Sequence, residues 1–391
     1  MATYTQTITK VADSASVPEE AVSKPHHVLN GGHLIKFRNP YPSWGPGIGL
    51  LNILRVMLKA RFAGELQPVV TTPPTVPVLK PTFLPDRTAS DQLRATWLGH
   101  SCYYIEFPSG LRVLCDPVFE DRCSPFSFLG PKRYTEQPCK LADIPAVDAV
   151  LISHSHYDHL SHPSVLEVKK RHPNVHFFVP KGLEKWFNKV GINSVTELDW
   201  WEDVEFSLTV DGKEGDDSGE PRTISARISC TPAQHSSARG LFDRDRTLWC
   251  SWAVKSGGKS LWFAGDTGYR AVPYLPRAID DYGPDYADLP RCPQFKQIGE
   301  HRGPFDLGLI PIGAYYPRAA FSPMHINPYD AVEIFQETKC ANAMSIHWGT
   351  WVLTSEEVHD PPKQLREALK KKGIPETGVF DICDIGESRE F

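Results

Sequence analysis

No C-x-x-C pair occurs anywhere in the chain, and its nine cysteines form an odd, scattered set running from Cys102 to Cys383. That excludes a regular disulfide framework and a thiolate zinc ribbon, and it fits reduced thiols in an intracellular compartment. No uninterrupted apolar core marks the first residues either. MATYTQTITKVADSASVPEE carries Asp13, Glu19 and Glu20, so an export signal and secretion are not expected. The residues before Asp13 are Thr-rich and acid-free but lack arginine, which leaves a mitochondrial presequence open. Massed basic residues are missing as well: the formal net charge is -5 with Lys and Arg scattered, so a nucleic-acid partner is not expected. Nor does any internal repeat recur at solenoid or propeller periods. What is present is 41% apolar and 23% charged residues over 391 positions, enough to bury a sizeable core.

Residues 1–45 are rich in Thr, Ser, Pro and Gly, and the stretch 66–86 carries TTPPTVPVLKPTFLP; both read as extended or flexible connections. Between them, GIGLLNILRVMLKARF sets Asn52, Arg55 and Lys59 at helical spacing opposite Ile48, Leu51, Leu54, Leu58 and Phe62. An amphipathic helix over 48–62 is expected, the first part of a 46–92 helix-and-linker unit. It is too short and too charged to span a bilayer, and its apolar face suits either a membrane surface or packing on the rest of the protein.

From residue 93 the pattern turns to short strand-like runs: LRATWL, SCYYIEF, LRVLCD, DAVLIS, VHFFVP, VEFSLTV, RTISARISC, TLWCSWAV and SLWFAGD. Helical patterns intervene at PSVLEVKKRH, GLEKWFNKV, NPYDAVEIFQET and KQLREALKKKG, with Pro163 and Pro328 near helix starts. Blocks of strand and helix imply α/β (α+β) architecture, sheets covered by helices. The acidic run DGKEGDDSGEP at 211–221 reads as a solvated hairpin tip.

The chemistry concentrates in AVLISHSHYDHLS. In extended chain, residues two apart point the same way, so His154 and His156 can face one ion at a strand end. Asp158 and His159, on the following turn, can face a second. Imidazole and carboxylate are preferred zinc ligands. A lone histidine is more often a core or surface residue, and a polar loop is the plain alternative. Further candidates nonetheless sit at strand ends: His235 after RTISARISCTPAQ, Asp266 in FAGDTG and His347 after AMSI. Strand ends on one side of a sheet are where α/β proteins gather active-site residues.

With these residues in view, the chain resembles the metallo-β-lactamase superfamily, whose H-x-H-x-D-H signature is matched at His154, His156, Asp158 and His159. It more closely resembles the N-acylphosphatidylethanolamine-hydrolysing phospholipase D family, through WLGHS at 97–101, GPKRY at 130–134, SHSHYDHL at 153–160, FAGDTGY at 263–269 and SIHWGT at 345–350. The likeness spans roughly 93–385 and implies a four-layer αββα sandwich, with 93–391 as the catalytic domain. It implies two Zn2+ ions, one on His154, His156 and His235, the other on Asp158, His159 and His347, with Asp266 bridging. Asp116, in LCDPVF, would orient a ligand. Asp158 and Asp266 would orient the attacking water, and His325, in SPMHINP, would lie near the substrate headgroup. Tyr269, Tyr315 and Tyr316 are candidates for the groove wall, against the commoner reading as packing tyrosines. The chain departs from the family at Ser236, where tryptophan is common, and in a Pro- and Asp-rich insertion at 273–304.

The implied reaction is phosphodiester hydrolysis of an N-acylphosphatidylethanolamine to phosphatidic acid and an N-acylethanolamine. A water shared by two ions has its pKa lowered from about 15.7 towards about 7, which supplies the nucleophile. A membrane phospholipid substrate implies peripheral association with an organelle membrane and is compatible with a homodimer. The same site could open a lactone or another ester. A flavodiiron oxidase is disfavoured, since His156 stands where that group has Glu and no flavin domain follows. A non-catalytic membrane protein on the scaffold is a third alternative.

Overall fold

The computed structural model describes residues 4–11, 16–45, 49–73, 75–210, 221–277 and 279–391. Strand alternation decides the layering. In β5 (Cys102–Glu106), Tyr103 and Ile105 enter the core between two sheets, while Cys102 and Tyr104 turn to a separate apolar layer under helices. The sheet containing β5 runs in the order β17 (Ser388–Glu390), β4 (Arg94–Gly99), β5, β6 (Arg112–Cys115), β7 (Ala149–Leu151), β8 (His176–Pro180) and β9 (Val195–Leu198). The facing sheet runs β1 (Tyr4–Lys10), β10 (Asp203–Val210), β11 (Arg222–Thr231), β12 (Ser251–Ser256), β13 (Lys259–Phe263), β14 (Phe305–Pro311), β15 (Cys340–Ile346) and β16 (Phe380–Asp381). A hairpin of β2 (His27–Asn30) and β3 (His33–Phe37) stands apart.

Helices α2 (His162–Arg171) and α3 (Glu184–Lys189) bury Val165, Val168 and Phe187 against Val150 and Phe177 of the first sheet. Ser161 caps α2 by accepting from the Ser164 N–H, and Pro163 occupies its first turn. The helix α4 (Gln294–His301) belongs to the insertion, and α5 (Arg318–Phe321) is a single turn. On the second sheet, α6 (Pro328–Glu337) and α7 (Asp360–Lys371) contribute Val332, Phe335, Leu365 and Leu369 to the same core as Leu309 and Phe380. The layers are therefore αββα, as the resemblance implies. The acidic run at 211–220 lies outside the described residues, and the strands flanking it pair antiparallel, with Val210 opposite Arg222.

Residues 1–45, expected as a flexible segment, are built into the fold wherever they are described. Strand β1 pairs antiparallel with β10 along its whole length, because an edge strand offers backbone groups that YTQTITK can satisfy without a large apolar face. Further on, His26, His27 and Lys24 converge on the buried carboxylate of Asp199. The next helix, α1 (Leu50–Phe62), agrees with the periodicity, although Ile48 lies outside the described residues. It buries Val56 and Ala60 and leaves Leu51, Leu54, Leu58 and Phe62 exposed, so the expected apolar stripe does not pack on the protein. Among the described residues no helix is long and apolar enough to cross a membrane.

Strand direction brings the site together. Strands β4, β6 and β7 are mutually parallel in one sheet, since β5 is antiparallel to both β4 and β6. Likewise β11, β13 and β15 share a direction in the other. The carboxyl ends of these strands meet at one edge of the sandwich.

Candidate metal centre

Each proposed ligand leaves the sheet just past one of those ends. His154 and the turn to His159 follow β7, His235 follows β11, Asp266 follows β13 and His347 follows β15. Their donor atoms gather as His154 with His156 and His235, and as Asp158, His159 and His347 with His100, while Asp266 groups with His154 and His159 and again with His235 and His325. In the first, His154 Nε2 lies 2.9 Å from His156 Nδ1, and His235 Nε2 lies 3.2 Å from the same atom. In the second, both His159 Nε2 and His347 Nε2 lie 3.5 Å from Asp158 Oδ2. Asp266 Oδ2 reaches both groups: it is 2.9 Å from His347 Nε2, 3.2 Å from His159 Nε2, 3.8 Å from His235 Nε2 and 4.0 Å from His154 Nε2. Asp266 thus lies between the two groups.

Hydrogen bonds behind the rings fix which nitrogen faces inward. His159 Nδ1–H donates to Asp116 Oδ2 at 2.6 Å, His154 Nδ1–H to Ser153 Oγ at 2.9 Å and His235 Nδ1–H to the Met324 carbonyl at 3.0 Å. Their Nε2 lone pairs are thereby left for an ion. Asp116 also accepts from Ser153 N–H and Oγ–H, so it braces the start of the His154 loop as well. Glycine makes these approaches feasible. A Cβ on Gly268 would sit 1.9 Å from the Pro323 carbonyl, inside the loop that carries Met324 and His325.

His159 Nε2, His347 Nε2 and Asp266 Oδ1 are buried without hydrogen-bond partners. Orphaned imidazole and carboxylate atoms converging on one space are what a cation would satisfy, so the residues fit a metal. Electrostatics agree. Burial pushes His154 and His235 well below the ordinary imidazole range. For His159 and His347 burial also acts downward, but Asp266, with Asp158, outweighs it; His159 rises well above its usual value and His347 to about 9. Despite burial, His159 and His347 hold the Asp266 carboxyl well below its usual range. The two carboxylates thus draw positive charge into a dry site, the role a dication fills when bound.

His100 was not singled out from the sequence, although it lies within WLGHS. It follows β4, is buried, and its Nε2–H donates to Asp158 Oδ2 at 3.2 Å while its carbonyl accepts from His347 N–H at 3.1 Å. Its strand-end position was the available signal. His100, Asp116 and His347 have φ of 52°, 37° and 63°, a left-handed conformation rare for residues with a side chain and concentrated at functional sites.

His325 stands at the mouth, with Nδ1 3.8 Å from Asp266 Oδ2 and 14% of its side chain exposed; Asp158 is 16% exposed. The tyrosines lie elsewhere. Tyr269 is buried and donates to Glu337, Tyr315 donates to Asp360 and Tyr316 to Glu65. Tyr315 and Tyr316 line a cavity of about 460 Å³ that contains none of the proposed ligands. The insertion is tied down by ion pairs, Arg270 to Asp281 and the buried Asp330, and Arg318 to the same two carboxylates. Ser236 is buried, and in its vicinity Arg239 braces the His154–His159 turn by donating to the Ser155 and Leu160 carbonyls.

Comparison with known proteins gives the same fold. A model of the β-lactamase superfamily domain matches residues 111–348. The chain is 38% identical over 362 residues to N-acyl-phosphatidylethanolamine-hydrolyzing phospholipase D 1 of Caenorhabditis elegans, which spans 90% of this chain and 91% of that protein. It is 36% identical over 301 residues to the mitochondrial N-acyl-phosphatidylethanolamine-hydrolyzing phospholipase D of Saccharomyces cerevisiae, covering 76% of this chain and 55% of that one. The isothiocyanate hydrolase from Delia radicum gut bacteria aligns over 76% of this chain and 99% of its own, with a TM-score of 0.50 and 16% identity, a likeness of fold alone.

Proposed function

Because the chain belongs to the metallo-β-lactamase superfamily and to its N-acylphosphatidylethanolamine-hydrolysing phospholipase D family, we propose that this metal-dependent hydrolase holds two zinc ions and cleaves N-acylphosphatidylethanolamines. The products are phosphatidic acid and an N-acylethanolamine. The observation that carries the reading is the reach of Asp266 Oδ2 into both donor groups. A site for one ion needs no shared carboxylate. The donors are nitrogen and oxygen without sulfur, a set that suits zinc.

His154, His156 and His235 would hold one ion, Asp158, His159 and His347 the other. Ions so held would supply a water nucleophile at neutral pH and would offset charge on the phosphoryl oxygens. Asp158 and Asp266 would accept hydrogen bonds from that water and orient it. His325, pushed down to about 4 by burial, is a neutral imidazole at physiological pH and can donate a hydrogen bond to a substrate oxygen at the mouth.

Product analysis tests this. Given an N-acylphosphatidylethanolamine and a lactone, the full chain should release N-acylethanolamine and phosphatidic acid, with two zinc ions per chain by elemental analysis. An opened lactone beside an intact phosphodiester would move the reading to a lactonase or ester hydrolase. No turnover on any lipid class after zinc loading would leave a non-catalytic membrane protein.

The substrate lies in a bilayer, and α1 offers a route to it. Its exposed Leu51, Leu54, Leu58 and Phe62 alternate with exposed Arg55, Lys59 and Arg61, an arrangement suited to the headgroup boundary of an intracellular organelle. The yeast relative is named as mitochondrial, which supports such a location. Replacing Leu54, Leu58 and Phe62 together by serine should weaken co-sedimentation with anionic phospholipid vesicles about tenfold, from lost apolar burial, with metal content unchanged. Undiminished vesicle binding would remove α1 from this role.

A further inference from the structure

The chain ahead of α1 lies outside the stretch matched by the family model, yet it touches a proposed ligand directly. One end is fixed on Asp199, just past β9. His26 Nε2–H, His27 Nε2–H and the Lys24 ammonium donate to the single carboxylate of Asp199, at 2.7, 2.9 and 2.9 Å, and His26 stacks on Trp200. Strand β3 then carries the chain across the sandwich edge, where Phe37 is buried and its N–H donates to the Asp245 carbonyl at 2.8 Å.

At the other end the segment grips the His235 loop. Asn39 Nδ2–H donates to the His235 carbonyl at 2.7 Å. The Asn39 Oδ1 is buried with no partner, so the carboxamide is oriented by its donor; turned over, it would set oxygen against oxygen. Four residues on, the fully buried Ser43 donates from Oγ to Gln234 Oε1 at 2.5 Å. Gln234 Nε2–H reaches back to the Ser43 carbonyl and across to that of Pro323, at 3.3 and 3.0 Å. A Cβ on Gly45 would lie 2.7 Å from Ala271 Cβ, so the segment also closes over the loop that follows Asp266.

We propose that residues 37–45 form a strap that positions His235, with Asn39 and Ser43 as positioning residues acting through the main chain of the ligand loop. The loop needs such support. His235 lies beyond the last ladder residue of β11; the main chain of Gln234 is held by Thr267 Oγ1 and the Gly268 N–H, the carbonyl of His235 takes its hydrogen bond from Asn39, and behind its ring Nδ1–H donates to the Met324 carbonyl. A ring hydrogen bond sets the tilt of an imidazole, while the carbonyl contact sets where the ring starts from. Ligand geometry depends on both. Because the strap touches Gln234, His235 and, through Gln234, the Pro323–Met324 carbonyl run, it joins the backbone of the ligand to the backbone that orients its ring. Asp158, His159 and His347 have no contact with it through these bonds, so its influence falls on the tri-histidine group.

The inference rests on the two-metal reading, and the test separates the two. Asn39→Ala and Ser43→Ala are made in the full chain. Zinc affinity is measured by chelator competition, and amide hydrogen exchange is followed in peptides covering 232–240 and 345–352. Each variant should weaken binding of one zinc equivalent about tenfold or more, with the other unchanged. Exchange should accelerate across 232–240 and stay at the wild-type rate across 345–352. Wild-type affinity and exchange in both variants would overturn the strap. So would equal acceleration in both peptides, which would mean a general loosening of the fold; Ser43→Ala provides the second measurement if Asn39→Ala does not fold. A wild-type chain that binds no zinc would sink the two-metal reading alone, because the exchange comparison still reports on the strap in the metal-free protein.

Discussion

Asp266→Asn should reduce hydrolysis on the order of 10³-fold and lower the metal content below two ions per chain, with little change in the melting temperature. The substitution keeps the shape of the side chain and removes its charge. That charge is what the site is organised around. Imidazole nitrogens from His347, His159, His235 and His154 lie within 4.0 Å of Oδ2, while Oδ1 is buried without a partner. An amide there would offer one oxygen where two ions compete for a carboxylate, and it could turn an N–H toward one of them. Removing one partner from a buried charged set typically costs about 3–5 kcal/mol, and about 1.4 kcal/mol corresponds to tenfold, which gives the expected scale. Elemental analysis and turnover on the phosphodiester check it together. Full activity with two bound ions would remove Asp266 from the bridging position.

The proposed ligands are legible as candidates in the sequence because each follows a strand whose apolar run is unmistakable. AVLIS, SLWFAG and AMSI announce their own ends, and a histidine or aspartate placed there has a predictable direction. His100 carried a weaker signal. Its strand, RATWLG, ends in a glycine turn, and its value comes from a side-chain contact to Asp158 and a backbone contact to His347, both far away in the chain. The strap shows the same limit more sharply. NPYPSW reads as a proline-rich connection because proline reports local stiffness, whereas its partners, Gln234 and His235, lie nearly two hundred residues on. Strand β1 is hidden for a related reason: YTQTITK buries little, and only the edge of β10 makes it a strand. Conversely, the apolar stripe of α1 was legible while its destination was not, since periodicity describes a face and says nothing of what covers it.

Asp116→Asn is the sharper test of how the proposed second ion would be held, and it should weaken zinc binding at the Asp158, His159 and His347 group about 100-fold, with a parallel loss of turnover. In the native arrangement a fully buried carboxylate accepts from His159 Nδ1–H, Ser153 N–H and Ser153 Oγ–H, which forces the proton of the His159 ring onto Nδ1 and leaves Nε2 bare toward the ion. Asparagine fits the same space but has one acceptor oxygen. If that oxygen stays with the Ser153 amide at the Oδ1 position, the amide nitrogen faces His159 Nδ1. Two donors cannot share a hydrogen bond, so the ring proton must move to Nε2, where it blocks the ion. The reverse orientation saves the histidine tautomer and leaves the Ser153 N–H opposite an N–H group, at a desolvation cost of about 1–3 kcal/mol in a dry site. Either way the substitution penalises the bound state more than it disturbs packing, so zinc affinity should fall further than thermal stability. The opposite ordering, with wild-type zinc affinity and a large drop in melting temperature, would make Asp116 a structural carboxylate and leave the tautomer of His159 to be set by the ion itself.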